Sequence, residues 1–341
     1  MTRIGIAGLG FMAMTHLKAY AQLKNARIVA LFNPSGKNLD GDFSRVAGNV
    51  GTNEPFRLSM EGIRTYTQFS EFLADGEIDV VDICAPTPSH PELAIAALRS
   101  GKHVLCEKPL ARTSKIASSI VTAAGKASGF FMPAMCIRFW PEYAWLKEQI
   151  QNGRHGRVLA ARFRRVTEPP GWGQHNFLNG SRSGGALLDL HIHDTDFIHY
   201  CFGKPERVYS SGYSKLSGAI DHVVTQYEYP STIVSAEGTW AMTPGFGFNM
   251  SYTVVFENAT VDFDIARGAE ALKLFVAGKP AEIIELKQAD GYVQELAYFL
   301  SCIEKNERPL RVTAQDALDA IVICEAEEES IRTREPAKIS D

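Results

Sequence analysis

Arg3-Ile4-Gly5-Ile6-Ala7-Gly8-Leu9-Gly10-Phe11-Met12-Ala13 stands at the start of the chain. Ile4–Ala7 reads as a short apolar strand, Gly8-x-Gly10-x-x-Ala13 as the turn after it, and Phe11 to Leu23 as a helix-forming stretch. A pyrophosphate needs that order. Gly8 allows the tight turn, and Gly10 lets the backbone approach phosphates with no side chain in the way. Ala13 is small enough for the helix to lie on the strand, and the helix start offers free N–H groups and a positive dipole end. Phe11 and Met12, in the same first turn, join the glycines as cofactor-contact candidates. The competing reading is an ordinary strand–helix turn that binds nothing. The flanking strand and helix favour the nucleotide.

The alternation continues downstream. Arg27–Phe32 reads as a second strand, and Asp79–Ala85 as a β-branched strand buried on both faces. His90–Ser100 has helical spacing, Lys102–Cys106 is a strand, Thr113–Lys126 a helix with Thr113 as its cap, and Phe130–Cys136 a strand. Repeated units of this kind imply a parallel, doubly wound sheet. Residues 34–67 read as a long connection with one helix near Phe43–Ala47.

From Gly156 the pattern changes to alternating strands: Arg157–Val166, Glu206–Ser211, His222–Tyr229, Ile233–Thr239, Phe248–Phe256 and Thr260–Phe263. Helices around Gly291–Lys305 and Thr313–Ser330 follow. A chain of 341 residues is long for one core. The expected fold class is therefore α/β, with a dinucleotide-binding domain over 1–136 and an α+β domain over 137–341. The second domain carries a largely antiparallel open sheet, and the last helix packs back on the first domain. An open sheet face of that size implies a homodimer or homotetramer.

Composition narrows the function classes. At 45% hydrophobic, 22% charged and net charge −4, the chain has no basic footprint for nucleic acid or an anionic membrane. There is no apolar run of spanning length and no basic-then-apolar leader, so a cytoplasmic protein is expected. Six cysteines without a Cys-x-x-Cys pair read as reduced core thiols.

Three stretches could carry chemistry. Ala85-Pro86-Thr87-Pro88-Ser89-His90 leaves the carboxyl end of a strand, where a parallel sheet binds its ligand, and Ala85, Thr87 and His90 are cofactor candidates. It is equally a capped helix start. Cys106-Glu107-Lys108-Pro109 leaves another strand end, with Glu107 and Lys108 facing the cofactor. Pro109 keeps Lys108 extended, and a lysine fixed there can move a proton; a surface lysine is the alternative. The third stretch runs from Gly184-Gly185 to Asp189-Leu190-His191-Ile192-His193-Asp194. On a helix, Asp189 and His193 share a face and make an acid–imidazole pair. The rival readings are a metal site at His191, His193 and Asp194, which a helix disfavours by splitting the two imidazoles, and a capped helix with incidental histidines.

Taken in this order, the Gly8–Ala13 turn, Glu107-Lys108-Pro109 and Gly-Gly…Asp189-x-x-x-His193-Asp194 resemble the glucose–fructose oxidoreductase and inositol dehydrogenase (Gfo/Idh/MocA) family. The resemblance implies a Rossmann domain binding NAD or NADP and a second α/β domain used in oligomerisation. It also implies hydride transfer at a hydroxyl-bearing carbon of a sugar, inositol or related polyol. Carried over, Lys108, Asp189 and His193 are catalytic and also touch substrate, with His193 as base and no metal. Asn33 replaces the acidic residue expected ~20 positions beyond the glycine turn. With Ser35 and Lys37 nearby, this favours NADP. His191 departs from the small residue usual there and is a substrate contact or a local variant. Arg138 at the domain junction, and Trp172, His175 and Asn176 in an aromatic, amide-bearing loop, are further substrate candidates. Two other functions fit the same fold: a hydrolase or eliminase using NAD transiently, and a non-catalytic nucleotide-binding sensor.

Overall fold

The computed structural model describes residues 1–48, 55–171, 174–287 and 289–339, without the side chains of 174 and 175. The chain forms two compact units, Met1–Phe139 with Ala289–Leu318, and Trp140–Gln288 with Asp319–Asp341. The first unit thus takes back a segment from beyond residue 137. Helical periodicity in that segment marks a helix but not its partner.

In the first unit six parallel strands lie in the order β3-β2-β1-β4-β5-β6. They are β1 Thr2–Ala7, β2 Ala26–Phe32, β3 Arg64–Tyr66, β4 Val80–Ile83, β5 His103–Glu107 and β6 Phe131–Ala134. Helices α1 Phe11–Tyr20, α2 Phe69–Ala74, α3 His90–Arg99 and α4 Ser114–Lys126 connect them. The strand order reverses between β1 and β4, and ligands in such sheets bind outside the carboxyl ends at that reversal. Phe43–Ala47 is a turn and not the expected helix: Phe43 is buried, its ring 5.9 Å from Phe56, and its carbonyl accepts Val46 N–H. A buried aromatic anchor, not backbone periodicity, shapes that stretch.

The second unit holds the strands β7 Val158–Thr167, β8 Arg207–Tyr213, β9 His222–Glu228, β10 Ile233–Thr239, β11 Phe248–Phe256, β12 Ala259–Asp264, β13 Leu272–Val276, β14 Glu282–Ile283 and β15 Ala337–Lys338. They form one sheet, in the order β14-β13-β12-β11-β7-β10-β9-β8-β15, antiparallel except for the β7–β10 pair. The helices are α5 Pro141–Asn152, the short α6 Gln174–Phe177 and α7 Gly180–Ser183, and α8 Ile192–Phe202. In the first unit, α9 Gly291–Lys305 packs on α1. The boundary between units falls inside α10 Ala314–Thr333. Thr313 caps α10, its Oγ1 accepting Asp316 N–H while the Asp316 carboxylate accepts Thr313 N–H.

No helix among the described residues is long and apolar enough to cross a membrane. The six cysteines are free, and all but Cys201 are buried.

Candidate active site

In the first unit the glycine turn is built as a phosphate cradle. Gly8 has φ of 91°, and a Cβ there would fall 2.6 Å from Ala85 Cα, so only glycine lets β1 and β4 release their loops side by side. A Cβ on Gly10, the residue preceding α1, would meet no atom within 4 Å. That open space at a helix N-terminus fits a dinucleotide pyrophosphate. Phe11 and Met12 are half-buried beside it, and Ala13 is buried against the sheet.

Next to the turn, Asn33 folds its side chain into its own loop. Its Nδ2 donates to Lys37 O at 2.7 Å, and its Oδ1 accepts from Ser35 N and Ser35 Oγ. Asn38, which sequence reading passed over, donates Nδ2 to Leu9 O at 2.8 Å and ties this loop to the glycine turn. Its left-handed φ of 61° is a conformation asparagine tolerates, the one local signal that could have marked it.

Lys108 lies at the end of β5. From Val104 to Ala111 it is the single residue with appreciable exposure; its seven neighbours are buried. Ala85 and Thr87 are half-exposed at the end of β4.

Three sequence-based candidates lie inside the fold. His90 is 1% exposed, with Nδ1 2.8 Å from Pro109 O and Nε2 2.7 Å from Ala85 O, so its ring lies between two backbone carbonyls. Glu107 is buried too: Oε2 accepts Lys108 N–H and Oε1 lies 3.2 Å from His16 Nε2. Arg138, 1% exposed, donates to Arg311 O and Asp316 and braces them from inside.

The second unit presents the acid–imidazole pair differently from the expected α-helix. Leu187–His191 is a π-helical turn, with Ile192 N–H given to Leu187 O, and it leads directly into α8. The extra residue per turn comes with close packing on the sheet: a Cβ on Gly238 of β10 would fall 2.5 Å from His191 Nδ1. From Ser183 to Ile198 every residue is buried except Asp189 and His193. The turn therefore offers one accessible patch, made of one acid and one imidazole.

His191 and His193 diverge, as helical geometry demands. His191 is fully buried; Nε2 sits 3.2 Å from Glu327 Oε1 and 3.1 Å from Tyr227 OH, so its ring is held by internal partners. Asp194 is likewise internal. Arg165 of β7 grips it with Nε at 2.8 Å and Nη2 at 3.1 Å, a bidentate pair that fixes the first turn of α8 beside His193. Nothing near Asp194 in sequence announces Arg165, 29 positions away. Asn176 is half-buried in α6, where His175 also lies; Trp172 is outside the described residues.

Residues 2–135 match an oxidoreductase family with an NAD-binding Rossmann fold, and residues 143–262 match the GFO/IDH/MocA C-terminal domain. The chain belongs to the GFO/IDH/MocA oxidoreductase family. This oxidoreductase is 28% identical over 275 residues to the 1,5-anhydro-D-fructose reductase of Ensifer adhaerens, covering 75% of this chain and 78% of that protein. It is 25% identical to the myo-inositol 2-dehydrogenase of Thermotoga maritima over 99% of both chains. Its fold matches a levoglucosan dehydrogenase solved with NADH and levoglucosan at a TM-score of 0.84, with 22% identity and 99% coverage of both chains. The GFO/IDH/MocA oxidoreductase thus brings an NAD-binding domain and, in separate units, half-buried Lys108 and the half-buried Asp189 and His193.

Proposed function

We propose that the chain transfers hydride between a nicotinamide cofactor and a hydroxyl-bearing carbon of a sugar, inositol or related polyol. One observation carries this reading: in two otherwise buried runs, the residues left accessible are Lys108 in one and Asp189 and His193 in the other. Those three side chains are what the two runs leave within reach of a cofactor and substrate, and an ammonium, a carboxylate and an imidazole can together manage a proton and a charge. The Gly8–Gly10 turn, Ala85 and Thr87 would hold the dinucleotide, which when bound supplies the hydride acceptor or donor.

The remaining steps belong to the protein. His193 takes the hydroxyl proton, since an alcohol cannot give up hydride while it keeps that proton. Asp189 orients the imidazole and the substrate, and Lys108 stabilises charge on the oxygen. Half-buried Asn176 is a candidate for holding a hydroxyl rim.

NADP is the favoured cofactor, because Asn33 removes the carboxylate that would repel a 2′-phosphate, and exposed Ser35 and Lys37 stand beside it. A second copy of the chain is the proposed partner of the open sheet face, where Tyr209, Tyr213, Val224 and Ile233 are exposed, Ile233 at 64%. A cytoplasmic setting suits the free thiols.

NADH and NADPH titrated separately by fluorescence, followed by a sugar and polyol panel read by nicotinamide absorbance, test the proposal. Lys108→Ala should keep cofactor affinity and abolish turnover; equal loss of both would remove Lys108 from the chemistry. Turnover without net absorbance change would point to transient redox instead.

A further inference from the structure

Two buried histidines span the same pair of strand ends. His16 of α1 hydrogen-bonds Asp82 Oδ2 on β4 through Nδ1 at 2.8 Å, and its Nε2 lies at ion-pair distance, 3.2 Å, from Glu107 Oε1 on β5 without hydrogen-bond geometry. His90 of α3 sits between Ala85 O, just past β4, and Pro109 O, just past β5; burial lowers its pKa, so the neutral ring donates its single N–H to one of the two carbonyls. Between the two struts lies Lys108, whose N–H is accepted by Glu107 Oε2 at 3.1 Å. Lys108 is thus held on its amino side through Glu107 and His16, and on its carboxyl side through Pro109 and His90.

The charge pattern makes the His16 strut specific. An imidazolium hydrogen-bonds Asp82 through Nδ1 and sets a positive charge at ion-pair distance from Glu107, which a neutral ring cannot do. The groups facing it are Asp82, Cys84, Glu107 and the Tyr292 ring at 6.2 Å, with the Tyr20 phenol on Asp82. Burial opposes the charge on His16, but Asp82 and Cys84 outweigh it and hold its pKa well above the ordinary histidine value. His16, Asp82 and Cys84 also bring their ligand atoms within 4.8 Å of one another, as a metal would need. The 2.8 Å His16–Asp82 hydrogen bond satisfies that nitrogen without one.

We propose that His16 and His90 are positioning residues for Lys108, setting the end of β5 against the end of β4 so that the ammonium is aimed. This rests on the reading of Lys108 as a catalytic group. A buried ion cluster adds little net stability and is retained where it fixes geometry.

The test is the titration of Lys108 itself. Lysines are reductively methylated with 13C, the Lys108 signal is assigned by its loss in Lys108→Arg, and its pH titration is followed in wild type, His16→Asn and His90→Asn. His16→Asn keeps a donor toward Asp82 and loses the ion-pair contact with Glu107. The proposal expects the Lys108 midpoint to move by about half a pH unit or more in both variants. NADH and NADPH dissociation constants should change less than about threefold, and any turnover should fall about tenfold to a hundredfold in kcat.

His16→Gln, long enough to reach Glu107, should restore most of the Lys108 midpoint. An unmoved midpoint in folded variants overturns the proposal, as does a loss confined to cofactor affinity. Stoichiometric metal in the purified protein, with its chelation reproducing His16→Asn, also overturns it. Should His16→Asn fail to fold, Glu107→Gln, nearly isosteric, tests the same contact. If Lys108→Ala keeps full turnover while the midpoint moves, the catalytic reading fails and the struts stand.

Discussion

Strands β4 and β6 of the first sheet are buried at every residue, whereas β8, β9 and β12 of the second alternate buried and accessible residues along their length. A sheet covered on both faces leaves chemistry only at its strand ends, and every charge inside it must find a partner, as His16, Asp82 and Glu107 do. A sheet covered on one face can instead carry a functional segment on its dry side. There the π turn and α8 present Asp189 and His193, braced from beneath by Arg165–Asp194 and His191–Glu327. Around Lys108 the buried contacts run both to backbone carbonyls and between side chains, whereas beside Asp189 and His193 they are side-chain bonds.

The comparison breaks most sharply at His193. His193→Ala should cost about 10²–10⁴-fold in kcat with cofactor affinity intact, measured by steady-state kinetics and NADH or NADPH fluorescence. If cofactor affinity falls instead, the division of labour between units is wrong.

The next largest effect belongs to the brace. Asp194→Ala strands the Arg165 guanidinium, itself 3% exposed, and should destabilise by about 3–5 kcal/mol in urea unfolding. A loss near zero would mean that the pair does not fix α8.

Gly238→Ala pushes a methyl toward His191 and should cost about 1–3 kcal/mol while lowering kcat, because the π turn must lift from β10. An equally active, equally stable variant would show that the close approach is not needed.

In the first unit, Asn33→Asp should shift the NADPH-to-NADH affinity ratio toward NADH by about tenfold, or ~1.4 kcal/mol. It also gives up the amide bond to Lys37 O, so unchanged affinities would show that this loop does not read the ribose.

The smallest effect is on acid stability. Burial would raise the Asp221 pKa, but donors from Ser217, Leu216, Lys215 and Trp240 outweigh it and hold the carboxyl low. A carboxyl lowered in the fold stabilises it fully above its unfolded value of about 3.9, and the contribution is lost as pH falls through the folded value. Tm should therefore drop on acidification in wild type, and drop less in Asp221→Asn.

Local pattern determined much of this molecule. Ile233–Thr239, Phe248–Phe256 and Gly291–Lys305 were legible to the residue, because a period of two or of 3.6 is written in apolar spacing alone. So was the glycine turn, since Gly8 answers to a backbone requirement no other residue meets. Burial was not legible for polar groups. His90, Glu107, Arg138 and His191 carry the same chemistry in sequence as a binding residue, and only packing turned them inward. Strand β15 and the return of α9 to the first unit depend on partners far away in the chain. Residue types state which protons and charges are available. The tertiary structure decides which of them water and a substrate can reach, because reach depends on what lies across the fold and not on what lies next in the chain.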